Sequence, residues 1–255
     1  MKKQLFALLF ALVPCTAMAA GGASVPYSME PDLQDQASLQ NGMKLYVNYC
    51  MGCHSLEYQR FARAAHDLGM PQDLVEENLI FSSDLAYNDQ LHIAMDSGDA
   101  EGWFGAPPPD LTLEARLRGT DWIYSYLLSF YKDPSRPTGV NNAVFDLVAM
   151  PNVLEPLQGV QEKVCAETDR PVEGAELDPL TGKYQSCETL QVTQPGEMEP
   201  DEFEEAVYDL TNFLAYVGEP SKLQAQTLAP KVLIFIFIFG VIAYLLKREY
   251  WRDIH

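Results

Sequence analysis

Three residues in one short run have the types and spacing for redox chemistry: Cys50 and Cys53, separated by Met51 and Gly52 and followed at once by His54. Thiols three positions apart can add to the two vinyl groups on one edge of a porphyrin, while the adjacent imidazole is held beneath the ring to give a nitrogen to iron. The run reads as the covalent attachment site of one c-type haem, with His54 as an iron ligand. A disulfide or thioredoxin-like pair is the competing reading. The histidine directly after the second cysteine weighs against it, as does the export signal described below.

An iron that carries electrons usually takes a second axial donor, and a thioether raises its potential relative to a second imidazole. His66, His92 and several methionines are available. Among them Met150 precedes Pro151, and a proline disfavours helical backbone at the residue before it, so Met150 reads as a loop residue able to fold over an open haem face. Core filling remains the alternative for a methionine with apolar neighbours. The stretch Gly102 to Thr112, with three consecutive prolines at 107–109, reads as a loop whose glycines allow close backbone approach to a flat cofactor and whose Trp103 and Phe104 can pack on it. Arg116 and Arg118 follow, and a guanidinium suits haem propionates; a solvent-facing arginine is the alternative for each.

These groups need elements to place them. Met43, Tyr46 and Val47 recur at helical spacing just before the motif, within Asn41 to Tyr49. Trp122, Tyr126 and Phe130 share one face of a helix predicted over Asp121 to Lys132, with Thr120 or Asp121 as its cap and Pro134 as its stop. Phe203, Val207, Leu210 and Leu214 mark another over Asp201 to Val217, closed by Gly218 and Pro220. The expected class is mainly α, with helices enclosing the cofactor and long Pro/Gly-rich connections.

The two ends carry apolar segments of different kinds. Lys2 and Lys3, the apolar stretch Leu5 to Val13 and Ala17-Met18-Ala19 have the order of a secretory signal, which would take Cys15 with it and leave a mature start at Ala20. Leu228 to Leu246 holds one charge, Lys231, and spans about 28 Å as a helix, close to one hydrocarbon core. It reads as a transmembrane helix with Pro230 in its first turn, Lys231 snorkelling to the interface, and Lys247, Arg248 and Arg252 on the cytoplasmic side. The expected organisation is a signal over 1–19, a periplasmic haem domain over 20–225, an anchor over 226–247 and a cytoplasmic tail over 248–255.

The net charge of -19 argues against nucleic acid and anionic membrane surfaces as partners and suits a basic protein partner, although an acidic excess also serves simply to solvate a surface. Cys165 and Cys187 lie in a polar, Pro/Gly-rich stretch outside the cytoplasm and are expected to form a disulfide.

Taken together, Asn48-Tyr49-Cys50-Met51-Gly52-Cys53-His54-Ser55-Leu56, Gly105-Ala106-Pro107-Pro108-Pro109-Asp110-Leu111, Arg116 with Arg118, Asp133-Pro134-Ser135-Arg136-Pro137, Gly139-Val140-Asn141-Asn142 and Met150-Pro151 resemble the cytochrome c1 family, the haem subunits of bacterial ubiquinol-cytochrome c reductase, from about Ser24 through the C-terminal anchor. The resemblance implies an elaborated class I cytochrome c fold. It also implies one covalent heme c with His54 and Met150 as iron ligands, Arg116 against a haem propionate and Arg118 as a second contact. By the same resemblance the chain takes one electron from a Rieske iron-sulfur protein and passes it to a soluble or membrane-tethered cytochrome c. Its other partners are then cytochrome b and membrane lipid, at the bacterial inner membrane. Catalysis belongs to the oxidoreductase complex, since no bond is made or broken on this subunit. The rivals are an anchored mono-haem cytochrome serving a different oxidase or dehydrogenase, and a haem-based ligand sensor.

Overall fold

The computed structural model of the chain describes residues 25–168, 176, 177, 179 and 181–252. The expected signal over 1–19 and the final residues 253–255 lie outside the described residues. Along the chain run α1 (Gln36–Leu45), a π-helical turn (Tyr46–Cys50), β1 (Leu56–Arg60), α2 (Phe61–Asp67), α3 (Gln72–Asn78), β2 (Gln90–Leu91) and α4 (Ser97–Phe104). There follow α5 (Glu114–Leu117), α6 (Thr120–Leu128), β3 (Phe130–Lys132), β4 (Val140–Asn142), α7 (Glu155–Gln158), β5 (Gly159–Thr168), β6 (Glu176–Leu177), β7 (Tyr184–Pro195), α8 (Pro200–Gly218) and α9 (Lys222–Tyr250). The architecture is mainly helical, an elaborated class I cytochrome c fold with a C-terminal helix long and apolar enough to cross a membrane.

The core forms where α1 crosses α8. Leu39, Met43, Tyr46, Leu210, Phe213 and Tyr216 are fully buried there, each large side chain contributing about 1.5–3 kcal/mol by leaving water. Gly42 lets the two helices approach, because a Cβ at this position would run into the Asp209 carbonyl oxygen and Phe213 Cβ. Polar groups register the crossing: Asn41 Nδ2 donates to Asp209 Oδ2 at 2.8 Å, and buried Asn212 donates to the Asp32 carbonyl at 2.9 Å and to Ser38 Oγ at 3.0 Å. Asp35 caps α1 by accepting from Ser38 N at 3.1 Å. Glu199 and Glu202 form a capping box ahead of α8, with Pro200 at its first position.

Four sequence expectations change. The helix expected to run to Lys132 stops at Leu128, and Phe130–Lys132 instead pairs antiparallel with Val140–Asn142. Its expected caps do not cap it: the helix begins after Gly119 with no side-chain cap, and the Asp121 carboxylate accepts from Met29 N at 2.8 Å. Gly102, Trp103 and Phe104 belong to the last turns of α4, so the loop begins only at Gly105, whose φ of 80° ends the helix. Pro230 sits inside α9 rather than in its first turn, because the helix already starts at Lys222.

The polar stretch after Met150 is also more ordered than a connection. Strands β5 and β7 form a long antiparallel hairpin, with β6 on the outer edge of β7 and a disulfide between Cys165 and Cys187. At its base the Gln161 amide donates to the carbonyls of Leu128 (3.1 Å) and Phe130 (2.7 Å), which fixes the hairpin to the end of α6 and to β3. In α9 the apolar span Thr227–Tyr250 is exposed on all sides, as a membrane-facing helix is, and among the described residues it is the one helix fit to anchor the chain in a membrane.

Candidate functional site

Cys50 ends the π-helical turn, and the chain continues as a tight turn in which Cys53 N and His54 N both donate to the Cys50 carbonyl, at 3.0 and 2.9 Å. π-Helical turns inside helices recur at functional sites, where one extra residue re-aims the side chains that follow. Cys50 is buried and Cys53 partly exposed, and both carry free thiols, unlike the bridged Cys165 and Cys187. Burial, with the neighbouring Cys53 adding to it, pushes the Cys50 thiol up to about 12, so it stays protonated. The Tyr46 hydroxyl donates to the His54 carbonyl from within the core and ties this turn to α1.

The proline-rich loop is laced to the residues just after the motif. Leu111 N donates to the Ser55 carbonyl at 3.0 Å, Glu57 N to Asp110 Oδ2 at 2.7 Å, and Tyr58 N to Thr112 Oγ1 at 3.4 Å. This lacing brings the Pro109 carbonyl to 2.7 Å from His54 Nδ1. A carbonyl only accepts, so Nδ1 carries the proton and Nε2 keeps its lone pair for a metal. Burial holds the imidazole below its usual pKa, against the Pro109 carbonyl and the Asp110 and Glu114 carboxylates that oppose it, which favours the neutral, ligating form.

Met150 lies in a non-helical bend before Pro151 and packs against buried Phe130, Val140 and Val148. The Tyr126 hydroxyl donates to its sulfur at 3.4 Å, and Tyr126 stacks on Trp122 with centroids 5.0 Å apart. The Arg118 guanidinium lies 4.3 Å from the Trp122 centroid and 5.9 Å from that of Phe145, and its Nε donates to Glu114 at 2.8 Å. A continuous band of contacts thus runs from the Glu114 carboxylate through Arg118, Trp122 and Tyr126 to Met150. The Arg116 Cγ backs against Gly218 at the junction of α5 and α8, beside Glu219 and Lys222. His66 is solvent-facing and bonded to Asp67 at 3.3 Å, and His92 is exposed.

The donor set fits a covalently attached haem. Two unbridged thiols flank one turn, an imidazole is fixed with its second nitrogen available, and a thioether stands beside a planar aromatic pair with a guanidinium next to it. Sequence reasoning gave Tyr126 only a place on one helix face and gave Arg136, Asn141 and Asn142 no role, although the last three lie in motifs that carried the resemblance. In the structure Asn142 Nδ2 donates to the Tyr126 carbonyl at 2.7 Å, while its Oδ1 accepts from Val144 N and Phe145 N at 2.9 and 3.1 Å.

No family model matches the chain. Three relatives do. The ammonia monooxygenase gamma subunit of Nitrosomonas europaea is 41% identical over 251 residues, covering 98% of each chain. The cytochrome b/c1 of Bradyrhizobium diazoefficiens is 27% identical over 252 residues, 87% of this chain and 34% of that longer protein. A cytochrome c1 of Allochromatium vinosum is 44% identical over 255 residues, 100% of both chains. With this last identity sustained from end to end, over a fold and a donor set that suit a covalent haem, the chain belongs to the cytochrome c1 family.

Proposed function

We propose that the chain is the membrane-anchored electron carrier of a quinol-oxidising respiratory complex, taking one electron from a Rieske iron-sulfur protein and delivering it to a cytochrome c. The observation that carries this reading is the turn Cys50–His54, in which the Pro109 carbonyl occupies His54 Nδ1 and leaves Nε2 for iron. A haem bound there supplies an iron that alternates between ferrous and ferric states and so carries one electron at a time. Cys50 and Cys53 would tether it as thioethers, and His54 and Met150 would ligate its iron. Arg116, by the family resemblance, is assigned to a haem propionate, and Arg118, which lies along the aromatic band, to a second contact with the propionates. The anchor α9 holds the domain on the periplasmic side, against cytochrome b and lipid, and the residues after Leu246 face the cytoplasm.

A second reading follows from the relative named as an ammonia monooxygenase gamma subunit, which makes this chain a haem subunit of a monooxygenase assembly. Purification of the intact assembly in mild detergent, with identification of its subunits, separates the two. Co-purification with a two-haem cytochrome b and a Rieske protein is the expected result. Their absence, with monooxygenase subunits in their place, would overturn the first reading.

A further inference from the structure

We propose that Arg136 is a positioning residue that sets where Met150 presents its sulfur. The proposal rests on the reading of Met150 as an axial ligand. Arg136 sits in the turn between β3 and β4, which is closed by Asp133 N donating to the Gly139 carbonyl (2.9 Å), Arg136 N to the Asp133 carbonyl (3.1 Å) and Gly139 N to the Arg136 carbonyl (3.0 Å). From this fixed base Nη2 donates to the Leu147 carbonyl at 2.9 Å and reaches the Val148 carbonyl at 3.4 Å. Nη2 thus holds the two residues that precede Ala149-Met150.

Leu147 needs such a hold. Its φ is 58°, a left-handed conformation that a branched side chain rarely adopts, and its side chain is 63% exposed, so packing does not keep it there. The other end of the same loop is fixed separately, by Asn142 accepting from Val144 N and Phe145 N and by Asn141 Nδ2 donating to Asp146 Oδ1 at 2.8 Å. Between Asp146 and the buried Val148, Arg136 is the one side chain among the described residues seen to hydrogen-bond the backbone turn at Leu147. A guanidinium suits this task because its planar fork offers donors in fixed directions, which a lysine ammonium does not. Without it, Leu147 relaxes to an ordinary backbone conformation and carries Met150, three residues on, away from Tyr126.

The test uses the full-length protein in detergent, with Arg136→Ala, Leu147→Gly, the double variant and Met150→Leu side by side. The readouts are the weak thioether-to-iron absorption of the oxidised protein, the midpoint potential and carbon monoxide binding to the reduced protein. Arg136→Ala should lose most of the thioether absorption, lower the potential and raise the carbon-monoxide-binding fraction several-fold. Adding Leu147→Gly, which removes the conformational penalty, should restore the absorption and inertness. Loss without rescue would overturn the positioning route. An Arg136→Ala protein with wild-type absorption, potential and inertness, alongside a Met150→Leu protein that has lost them, would overturn the proposal alone. A Met150→Leu protein that keeps all three would overturn the ligand reading and this proposal with it. If the alanine variant does not accumulate, Arg136→Lys keeps the charge but not the fork and should show an intermediate carbon-monoxide-binding fraction, a wild-type value again counting against the proposal.

Discussion

The Tyr126 hydroxyl donates to the Met150 sulfur at 3.4 Å. Burial pushes this phenol well above its usual pKa, against a small opposing pull from Arg118, so it stays a donor through the physiological range. A donor on a thioether withdraws electron density from it and so favours the reduced state of an iron that it ligates. Tyr126→Phe removes the donor and keeps the ring against Trp122. The midpoint potential should fall by up to about 40 mV, the equivalent of about 1 kcal/mol for a one-electron couple, with the thioether absorption retained. An unchanged or raised potential would mean that the bond does not reach the metal.

The α1–α8 crossing predicts a stability effect with no spectroscopic one. Gly42→Ala drives a Cβ into the Asp209 carbonyl and Phe213 Cβ, and backbone cannot move aside as a flexible side chain can. The cost should be about 1–3 kcal/mol by chemical denaturation of the haem-loaded domain. A variant as stable as the wild type would show that the helices separate freely at this point.

What could be read from sequence was what is local. The attachment run is legible because its chemistry demands adjacent positions, and α8 because Phe203, Val207, Leu210 and Leu214 repeat on one face. The overrun of α6 has a specific cause. Trp122, Tyr126 and Phe130 keep helical spacing, but Ala143 N claims the Ser129 carbonyl at 3.0 Å and β4 claims the residues after it, so tertiary pairing overrides the local period. Arg136 reaches the Leu147 and Val148 carbonyls, and Asn142 the Tyr126 carbonyl, across 11 or more residues, contacts that the sequence around them does not mark. In the β5–β7 ladder Gln161 pairs with Val192 and Lys163 with Leu190, across a register that no local period marks.

Asp67 ties α2 to the core by accepting from Tyr216 Oη at 2.9 Å and from Arg63 Nε, with His66 Nδ1 at 3.3 Å. Burial alone would raise its pKa, but the hydrogen bonds from Arg63, Tyr216 and His66 outweigh it and hold the carboxyl below its usual value. A depressed folded pKa contributes stability that is complete above the unfolded value of about 3.9 and is lost as pH falls through the folded value. Asp67→Asn should therefore cost about 1 kcal/mol at neutral pH, a gap that closes below about pH 4. Urea midpoints measured across that range check the sign, since a gap that persists or widens on acidification contradicts the assignment.

The acidic excess predicts how a basic cytochrome c arrives. Its association rate, followed by flash-induced electron transfer, should fall as salt rises from about 10 to 150 mM, because the screening length shortens from roughly 30 to 8 Å. A flat or rising profile argues for an apolar docking surface or for an acidic acceptor.

Met150 carries the sharpest prediction. Its sulfur stands at one end of the band that begins at Glu114, it is held off helical backbone by Pro151, and it is contacted by a phenol that remains protonated. Met150→Leu keeps much of the apolar volume against Phe130, Val140 and Val148 while removing the sulfur, so the change in stability should stay below about 1.5 kcal/mol. The covalent attachment should survive, because Cys50, Cys53 and His54 are untouched. Loss of the thioether absorption in the oxidised protein, a lower midpoint potential and new carbon monoxide binding in the reduced protein are the expected results, the first two following from removal of the axial sulfur donor and the third from the position it vacates. If all three properties stay at their wild-type values, the sixth ligand must be sought at His66, His92 or another methionine, and the band from Glu114 to Met150 would then be packing alone.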